Sequence, residues 1–223
     1  MKQLADGVWQ LRGFPPDAFN VYLVEDVLVD ASTRHAGRRI LHQLEGHAVN
    51  AHALTHAHPD HQGASDEVCG KLGIPYWVGE KDVPFAEDPR ALEATVPDTR
   101  FRRFAMRYWS GPGRNVDRAL HEGDEVAGFR VLDVPGHSPG HVALWREPDG
   151  VLILGDVLSS VNITTGIRGL NEPKAYLTTD PAENRRSARR LAQLEPRLAL
   201  FGHGPPLRDP RRFVEFVDSL PRD

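Results

Sequence analysis

The hexapeptide HAHPDH, at residues 56–61, constrains this chain more than any other feature of its sequence. It comes directly after the apolar run from Val49 to Leu54, which has the composition of a buried strand. Side chains two positions apart in an extended backbone point the same way, so His56 and His58 can bind one ion together. Buried imidazoles need polar partners, and a metal ion is the simplest partner for two of them at once.

The second half of the hexapeptide extends the same chemistry. Pro59 ends the extended run, and Asp60 and His61 then project from the following turn toward a neighbouring position. Three imidazoles and one carboxylate within six residues would crowd a core if nothing bound them. A solvated surface cluster is the simpler alternative, because His-rich segments also occur in loops.

Three later segments repeat one arrangement, in which a polar side chain follows an apolar strand in a glycine-containing turn. His137 lies in PGHSPGH, Asp156 lies in LILGDV and His203 lies in ALFGHGPP. In a layered α/β protein, the loops after the carboxyl ends of strands gather at one rim, which is the usual place of a site. These segments therefore favour a single ligand cluster with HAHPDH over a scatter of surface histidines.

The order of the motifs, H-x-H-x-D-H, G-H-S-x-G-H, G-D at a strand end and a final G-H-G, resembles the metallo-β-lactamase superfamily. The resemblance extends over residues 20–206 and points to its glyoxalase II and lactonase-like branch. It implies an α/β fold, namely a four-layer αβ/βα sandwich of two mixed sheets flanked by helices. It also implies a site for two metal ions. No linker-like stretch divides the sequence, so a single domain over residues 1–223 is predicted.

Carried over residue by residue, the resemblance implies two groups of metal ligands that share Asp156 as a bridge. The first group is His56, His58 and His137. The second group is Asp60, His61 and His203. Asp30, at the end of VLVDA, matches an acid that orients a ligand or the N-terminal loop. Imidazole and carboxylate ligands suit Zn²⁺, which is expected here because it needs no redox protection, and they also suit Fe²⁺ or Mn²⁺.

The remaining histidines are not expected to bind metal. His141 matches a position of the family that packs and hydrogen-bonds, and seven ligands already fill two sites. The others stand in polar helix or loop contexts and are expected at the surface: His35, His42, His47, His52 and His121. For His52 the alternative is a side chain that points into the strand pair.

The implied reaction is hydrolysis of an ester-like bond by a hydroxide that bridges the two metal ions, with Asp60 as the catalytic residue that carries its proton. β-Lactamases of the superfamily have Cys or Ser at the position of Asp156, so a β-lactam is not the expected substrate. A small thioester or lactone is favoured instead. Lactonases carry Tyr where this chain has Ser159, with Tyr176 as a possible substitute, and the stretch SSVNITTG lacks the glutathione-binding residues of glyoxalase II. The alternatives are a mono-iron oxidoreductase similar to persulfide dioxygenases, and a metal-stabilised member without catalysis.

The segment 80–120 is the least regular part of the sequence, with four prolines and a run of aromatic and basic side chains. One interpretation is a lid or insertion over the site, since long irregular segments often carry function. Its aromatic residues would form an apolar wall: Phe101, Phe104, Tyr108 and Trp109. Its arginines would form a cationic edge for a substrate carboxylate: Arg100, Arg102, Arg103 and Arg107. The alternative is an ordinary loop anchored by its aromatic residues.

Charge and composition narrow the class of partner. The formal net charge is −4, which gives no general attraction to nucleic acid. The single cysteine, Cys69, excludes an internal disulfide. The first residues, MKQLADGVWQLRG, contain no apolar leader, and no window approaches a membrane span. These features predict a cytoplasmic protein with a small-molecule substrate and without nucleic-acid or membrane partners.

Overall fold

The structure is a computed structural model that describes residues 1–222. Its larger sheet has seven strands, which follow one another in space as they do in sequence. They are β1 (Lys2–Ala5), β2 (Val8–Gln10), β3 (Tyr22–Val24), β4 (Val27–Val29), β5 (Ala51–Ala53), β6 (Tyr76–Gly79) and β7 (Arg118–Leu120). Strands β1 to β4 pair antiparallel and β4 to β7 pair parallel, so this sheet is mixed.

The smaller sheet has five strands, which are β8 (Glu125–Val126), β9 (Phe129–Asp133), β10 (Val142–Arg146), β11 (Val151–Gly155) and β14 (Leu198–Phe201). Their order across the sheet is β14-β11-β10-β9-β8. Only the pair of β11 and β14 is parallel, so this sheet is mixed as well. A separate hairpin is formed by β12 (Ser159–Val161) and β13 (Arg168–Asn171).

Helices cover the outer faces of both sheets. Within residues 1–222 they are α1 (Gly37–Leu44), α2 (Pro59–Gln62), α3 (Ser65–Leu72), α4 (Val83–Glu87), α5 (Arg100–Tyr108), α6 (Pro181–Ala192) and α7 (Pro210–Asp218). Short 3₁₀ turns occur at Glu80–Asp82, Pro89–Ala94 and Ala175–Leu177. Helices α1 and α3 pack on the larger sheet, and α6 and α7 pack on the smaller one. This arrangement confirms the expected αβ/βα sandwich.

The core between the two sheets explains why several strands read as continuous apolar runs. Tyr22 and Val29 of the larger sheet pack with Phe129, Leu144 and Ile153 of the smaller one, and all five are buried. Every residue of β3, β4, β5, β11 and β14 is buried, because a helix or loop covers one face and the other sheet covers the opposite face.

Helix ends agree with the sequence where capping chemistry is explicit. The Asp180 and Asp209 side chains accept hydrogen bonds from the backbone amides three residues later, at 2.9 and 3.1 Å, as N-caps do. Gly73 ends α3 in the left-handed conformation, with φ of 66°. The longest helix of the described residues, α6, has 12 residues, and none of these helices has the length and apolarity of a membrane span.

Two local differences concern segments near the site. The stretch after Pro59, expected as a turn, is the short helix α2. The stretch SSVNITTG begins the β12–β13 hairpin, which the sequence pattern did not indicate. Its turn depends on Asn162, whose side chain accepts hydrogen bonds from the amides of Thr164 and Thr165, and on Gly166 with φ of 71°.

Candidate metal centre

The polar segments singled out in the sequence meet at one edge of the sandwich. HAHPDH follows β5, and the other three segments follow β9, β11 and β14. Backbone hydrogen bonds join the loops, from the Val142 amide to the Thr55 carbonyl at 2.8 Å and from the Gly202 amide to the Gly155 carbonyl at 2.9 Å. The carboxyl ends of strands from both sheets therefore contribute to the same rim, as the sequence predicted.

All seven predicted ligand side chains lie together there. Their nitrogen and oxygen atoms form three overlapping groups, and within each group all atoms lie within 4.8 Å of one another. The groups are His56, His58 and His137; His56, His61 and Asp156; and Asp60, His61 and His203. The first and third groups are the two ligand groups that the family resemblance implies, and Asp156 lies between them.

The buried atoms at the centre of this cluster have no hydrogen-bond partner within residues 1–222. They are the Nε2 atoms of His56, His58, His61 and His137, and Oδ1 of Asp156. Unpaired buried polar atoms are costly, and so many at one point need a common partner. A donor set of imidazoles and carboxylates suits divalent metal ions, so the residues present fit a metal centre.

The Asp156 carboxylate has the position of a bridge. Its Oδ2 lies 3.0 Å from Nε2 of His203 and 3.6 Å from Nε2 of His137, and its Oδ1 lies 3.5 Å from Nε2 of His61. Burial opposes ionisation, but His203 and His61 outweigh it and hold the pKa of Asp156 well below its usual range. Asp156 and Asp30 likewise overcome burial and raise the pKa of His61 to about 10.

The outer nitrogens of these histidines are held by groups from distant parts of the chain. The Nδ1 atom of His61 lies 2.8 Å from the Asp30 carboxylate, and that of His137 lies 3.2 Å from the Thr178 hydroxyl. The Nδ1 atom of His203 contacts the Ala18 carbonyl. In the neutral form of the ring, which is the form that binds a metal ion, an acceptor at Nδ1 fixes the proton there and leaves the Nε2 lone pair directed at the cluster.

Thr55 connects His56 to the same acid. Its hydroxyl donates to the Asp30 carboxylate at 2.9 Å and lies 3.0 Å from Nδ1 of His56, from which it accepts a hydrogen bond. Asp30 therefore orients His61 directly and His56 through Thr55, which is the orienting role expected from the sequence.

Sequence reasoning missed Asp82, which holds two of the ligand loops together. This fully buried carboxylate accepts hydrogen bonds from the Ala57 amide at 2.9 Å, the Gly140 amide at 2.6 Å and the Ser138 hydroxyl at 2.6 Å. Burial raises the pKa of Asp82. Its only signal in the sequence was an acid shortly after the apolar strand YWVG, in a segment read as irregular.

His141 is close to the centre but belongs to none of the three ligand groups. Its Nε2 accepts a hydrogen bond from the Asp156 backbone amide at 3.1 Å, so its lone pair is already used. Burial lowers the pKa of His141 to about 3, which keeps the ring neutral. This agrees with the packing and hydrogen-bonding role expected for it.

Among the other histidines, the expectation for His52 was wrong. Its ring is fully buried, with Nδ1 3.1 Å from the Leu28 carbonyl and Nε2 2.8 Å from the Ser65 hydroxyl, and it stacks on Tyr76. The reason is that β5 is covered on both faces, so no position in it faces solvent. The histidines that are exposed as expected are His35, His42, His47 and His121.

Gly202 shows how tightly the cluster is packed. A Cβ atom at this position would lie 2.1 Å from Oδ1 of Asp156 and 2.5 Å from Cε1 of His61. Only a residue without a side chain leaves room for the Asp156 carboxylate beside the backbone that leads to His203.

A cavity of about 520 Å³ opens directly above the cluster. Its floor includes His58, Asp60, His137, Asp156 and His203. Its walls are mainly apolar and include Phe19, Leu92, Val96, Phe101, Met106, Trp109, Val161 and Ile163. The size lies in the range of small-molecule sites. Residues from the segment 80–120 thus form one wall over the candidate centre.

Several side chains expected at this cavity do not line it. Phe104 and Tyr108 are about half exposed and lie outside the lining, to which α5 contributes Phe101, Arg102, Ala105 and Met106 instead. Tyr176, considered as a substitute for the lactonase tyrosine, contacts Phe101 but is not a lining residue either.

Comparison with known proteins agrees with this geometry. A family model described as the metallo-β-lactamase superfamily matches residues 15–203. The chain belongs to the metallo-β-lactamase superfamily. The matched region contains all seven candidate ligands of this superfamily member, from His56 to His203.

Three similar proteins illustrate the range of the superfamily. The probable metallo-hydrolase YflN of Bacillus subtilis is 28% identical over 88% of this chain and 84% of its own length. A solved structure of TTHA1623, described as a di-iron-bound form, is 32% identical with a TM-score of 0.68, covering 90% of this chain and 93% of that one. A hydroxyacylglutathione hydrolase of Methylococcus capsulatus is 35% identical, but over only 51% of this chain and 34% of its own length.

Proposed function

We propose that this superfamily member is a binuclear metal-dependent hydrolase that cleaves the ester-like bond of a small thioester or lactone. The observation that carries the proposal is the set of seven His and Asp side chains, with unpaired buried atoms, at the floor of an apolar cavity. One ion would be held by His56, His58 and His137, and the other by Asp60, His61 and His203. Asp156 would contact both.

When bound, such ions polarise a carbonyl and lower the pKa of a water to about 7. The protein's own contribution is orientation and proton transfer. The hydrogen bonds of Asp30, Thr178 and Ala18 fix the direction of the ligand rings, so the site is preorganised.

Asp60 is the candidate proton carrier. Its side chain is mostly buried, with 17% of it exposed, lines the cavity and lies 3.4 Å from Nε2 of His203. Burial opposes ionisation, but the hydrogen bond with His203 and the charge of His61 lower the pKa of Asp60 below its usual value. Asp60 is therefore ionised at neutral pH, and one carboxylate oxygen can take a proton from the attacking water and pass it to the leaving group.

The proposed substrate class is based on the walls of the cavity rather than on the candidate metal ligands at its floor. Apolar walls in a cavity of about 520 Å³ favour an acyl compound with a small apolar part over a polymer. The partial similarity to a hydroxyacylglutathione hydrolase also supports thioester chemistry.

Metal content is the first test. Elemental analysis of protein isolated without chelator, and again after reconstitution with Zn²⁺ or Mn²⁺, should give two ions per chain. At most one ion per chain under every condition contradicts a binuclear centre. A single iron together with oxygen-dependent oxidation of a persulfide would support the mono-iron alternative instead.

A substrate panel is the second test, run with protein of measured metal content. We expect the highest kcat/KM for a small thioester or lactone, and background rates for bis(p-nitrophenyl) phosphate and the β-lactam nitrocefin. The reverse ranking would overturn the substrate class while leaving a metal-dependent hydrolase.

A further inference from the structure

The charged residues that line the cavity above the candidate metal centre are not equivalent. Besides the residues of the centre itself, they are Asp17, Arg102, Arg168, Glu172 and Lys174. A charged side chain that is already paired within the protein contributes little to ligand binding. The partners of each of these five residues therefore decide which one can bind a charged group of a substrate.

The terminal guanidinium nitrogens of Arg102, in α5, are engaged by the protein itself. One guanidinium nitrogen of Arg102 donates to the carbonyls of Glu93 and Val96 at 2.6 and 3.0 Å, and the other bonds the Asp98 carboxylate at 2.8 Å. The neighbouring Arg103 also pairs with Asp98 and is not a lining residue. Arg100 and Arg107 do not line the cavity either, so Arg102 alone of the four expected arginines reaches it, and its contacts hold the helix to the turn before it.

Two further charges at the cavity have partners of opposite sign. Glu172 accepts a hydrogen bond from Nε of Arg185 at 2.6 Å. Arg168 lies 3.8 Å from Asp17, and its side chain is 75% exposed, so its charge is largely screened by water.

Lys174 is different. It lines the cavity and is half-buried, and its side chain has no ion pair or hydrogen bond within residues 1–222. Its backbone is fixed near the centre, because its carbonyl accepts a hydrogen bond from the Thr178 hydroxyl at 3.1 Å, and that hydroxyl lies 3.2 Å from Nδ1 of His137. A partly desolvated ammonium beside apolar walls gains more from a counter-charge than an exposed one does.

We propose that Lys174 is the anion-binding residue of the cavity, and that the natural substrate is an acyl compound whose far end carries a carboxylate. The proposal rests on the proposed hydrolase function. A singly charged carboxylate fits better than a phosphate, because it matches the single charge of Lys174, whereas a dianion would keep one charge uncompensated beside the apolar walls. Lys174 would then select the substrate by its far end, and the residues proposed to hold the metal ions would face its ester-like bond.

The test uses metal-loaded protein and two thioesters of the same thiol, one with a glutaryl group and one with its methyl ester. The wild type should prefer the free carboxylate. Lys174→Met keeps the length and apolar stem, and should raise KM for the glutaryl thioester about 10- to 100-fold, as expected for a lost charge-assisted hydrogen bond. It should leave kcat, metal content and the KM of the methyl ester unchanged. Lys174→Arg should restore part of the preference, and Lys71→Met, on the exposed side of α3, is the matched control.

A binding measurement separates this proposal from the proposed function. Calorimetry with the thioether that corresponds to the glutaryl thioester reports on the anion site without any reaction. Lys174-dependent binding without turnover of any ester would overturn the hydrolase and keep the anion site. Turnover of thioesters with the same carboxylate preference in Lys174→Met would overturn the role of Lys174 and keep the hydrolase. Tighter binding of a phosphate-bearing thioether than of the carboxylate would overturn the substrate class proposed here.

Discussion

Replacing Gly202 with alanine tests whether Asp156 is the bridge between two metal sites. The new Cβ would lie 2.1 Å from Oδ1 of Asp156, whereas an ordinary contact is at least 3.4 Å, so the oxygen has to move by about 1.3 Å. Metal–ligand distances tolerate deviations of only about 0.2 Å. The variant should therefore lose the bridging geometry while the two sheets stay folded.

The expected magnitude follows from the size of that displacement. Perturbing a group that merely orients a ligand costs about 10- to 100-fold in metal affinity. Because Gly202→Ala displaces a proposed ligand itself, we expect a loss of at least about 100-fold, or about 3 kcal/mol. The assay is competition with a metal-responsive fluorescent chelator, together with urea unfolding of the metal-free protein.

Gly70→Ala is the matched control for this experiment. Gly70 lies within α3, and a Cβ there would meet only the Arg114 side chain, at 3.9 Å. This variant should bind metal as the wild type does and gain up to about 1 kcal/mol in stability from helix propensity. Wild-type metal affinity in Gly202→Ala would refute the assignment of Asp156 as a bridge.

Three further predictions concern the proton carrier, a buried histidine and the cavity wall. Asp60→Asn should lower kcat about 10²- to 10⁴-fold while metal content changes little, because the amide keeps an oxygen for the metal but cannot take a proton; near wild-type kcat at full occupancy would contradict this role. Burial lowers the pKa of His52 to about 4, so its contribution to stability is present above its unfolded pKa of 6.5 and is lost as the pH falls toward 4. In urea titrations, the free energy of unfolding of His52→Gln should fall by about 3 kcal/mol less than that of the wild type between pH 6.5 and pH 4. Equal falls in the two proteins would show that this ring does not control acid stability. Phe101→Ala should raise KM for acyl substrates while Phe104→Ala should not, since only Phe101 lines the cavity, and a larger effect of Phe104→Ala would count against the assigned wall.

The sequence was most informative where one physical cause acts locally. Apolar runs followed by Gly and His placed the candidate ligands at the ends of β5, β9, β11 and β14, and the structure brings them together. The starts of α6 and α7 are local in the same way, because an aspartate directly before proline caps each helix and the bond from an N-cap side chain reaches only three residues along the chain.

What the sequence could not predict depends on contacts between distant residues. The Asp82 clamp joins residues 25 to 58 positions away, and Ala18 holds a histidine 185 positions away. The prediction of which side chains line the cavity wall failed for a different reason. Without a helix assignment for residues 100–108, the sequence could not separate the side chains that face the cavity, such as Phe101 and Met106, from the exposed Phe104.

The division of the proposed ligands between the two sheets has a consequence for the stability of the protein. Four of them, from His56 to His61, follow a strand of the larger sheet, and three follow strands of the smaller one. Ions bound there would join the two halves of the molecule as a cross-link does. Binding that is restricted to the native state adds about 2.7 kcal/mol of stability for each site at a free-ion concentration 100 times its Kd. The supply of metal would then set both the catalytic state of the protein and its resistance to unfolding and proteolysis.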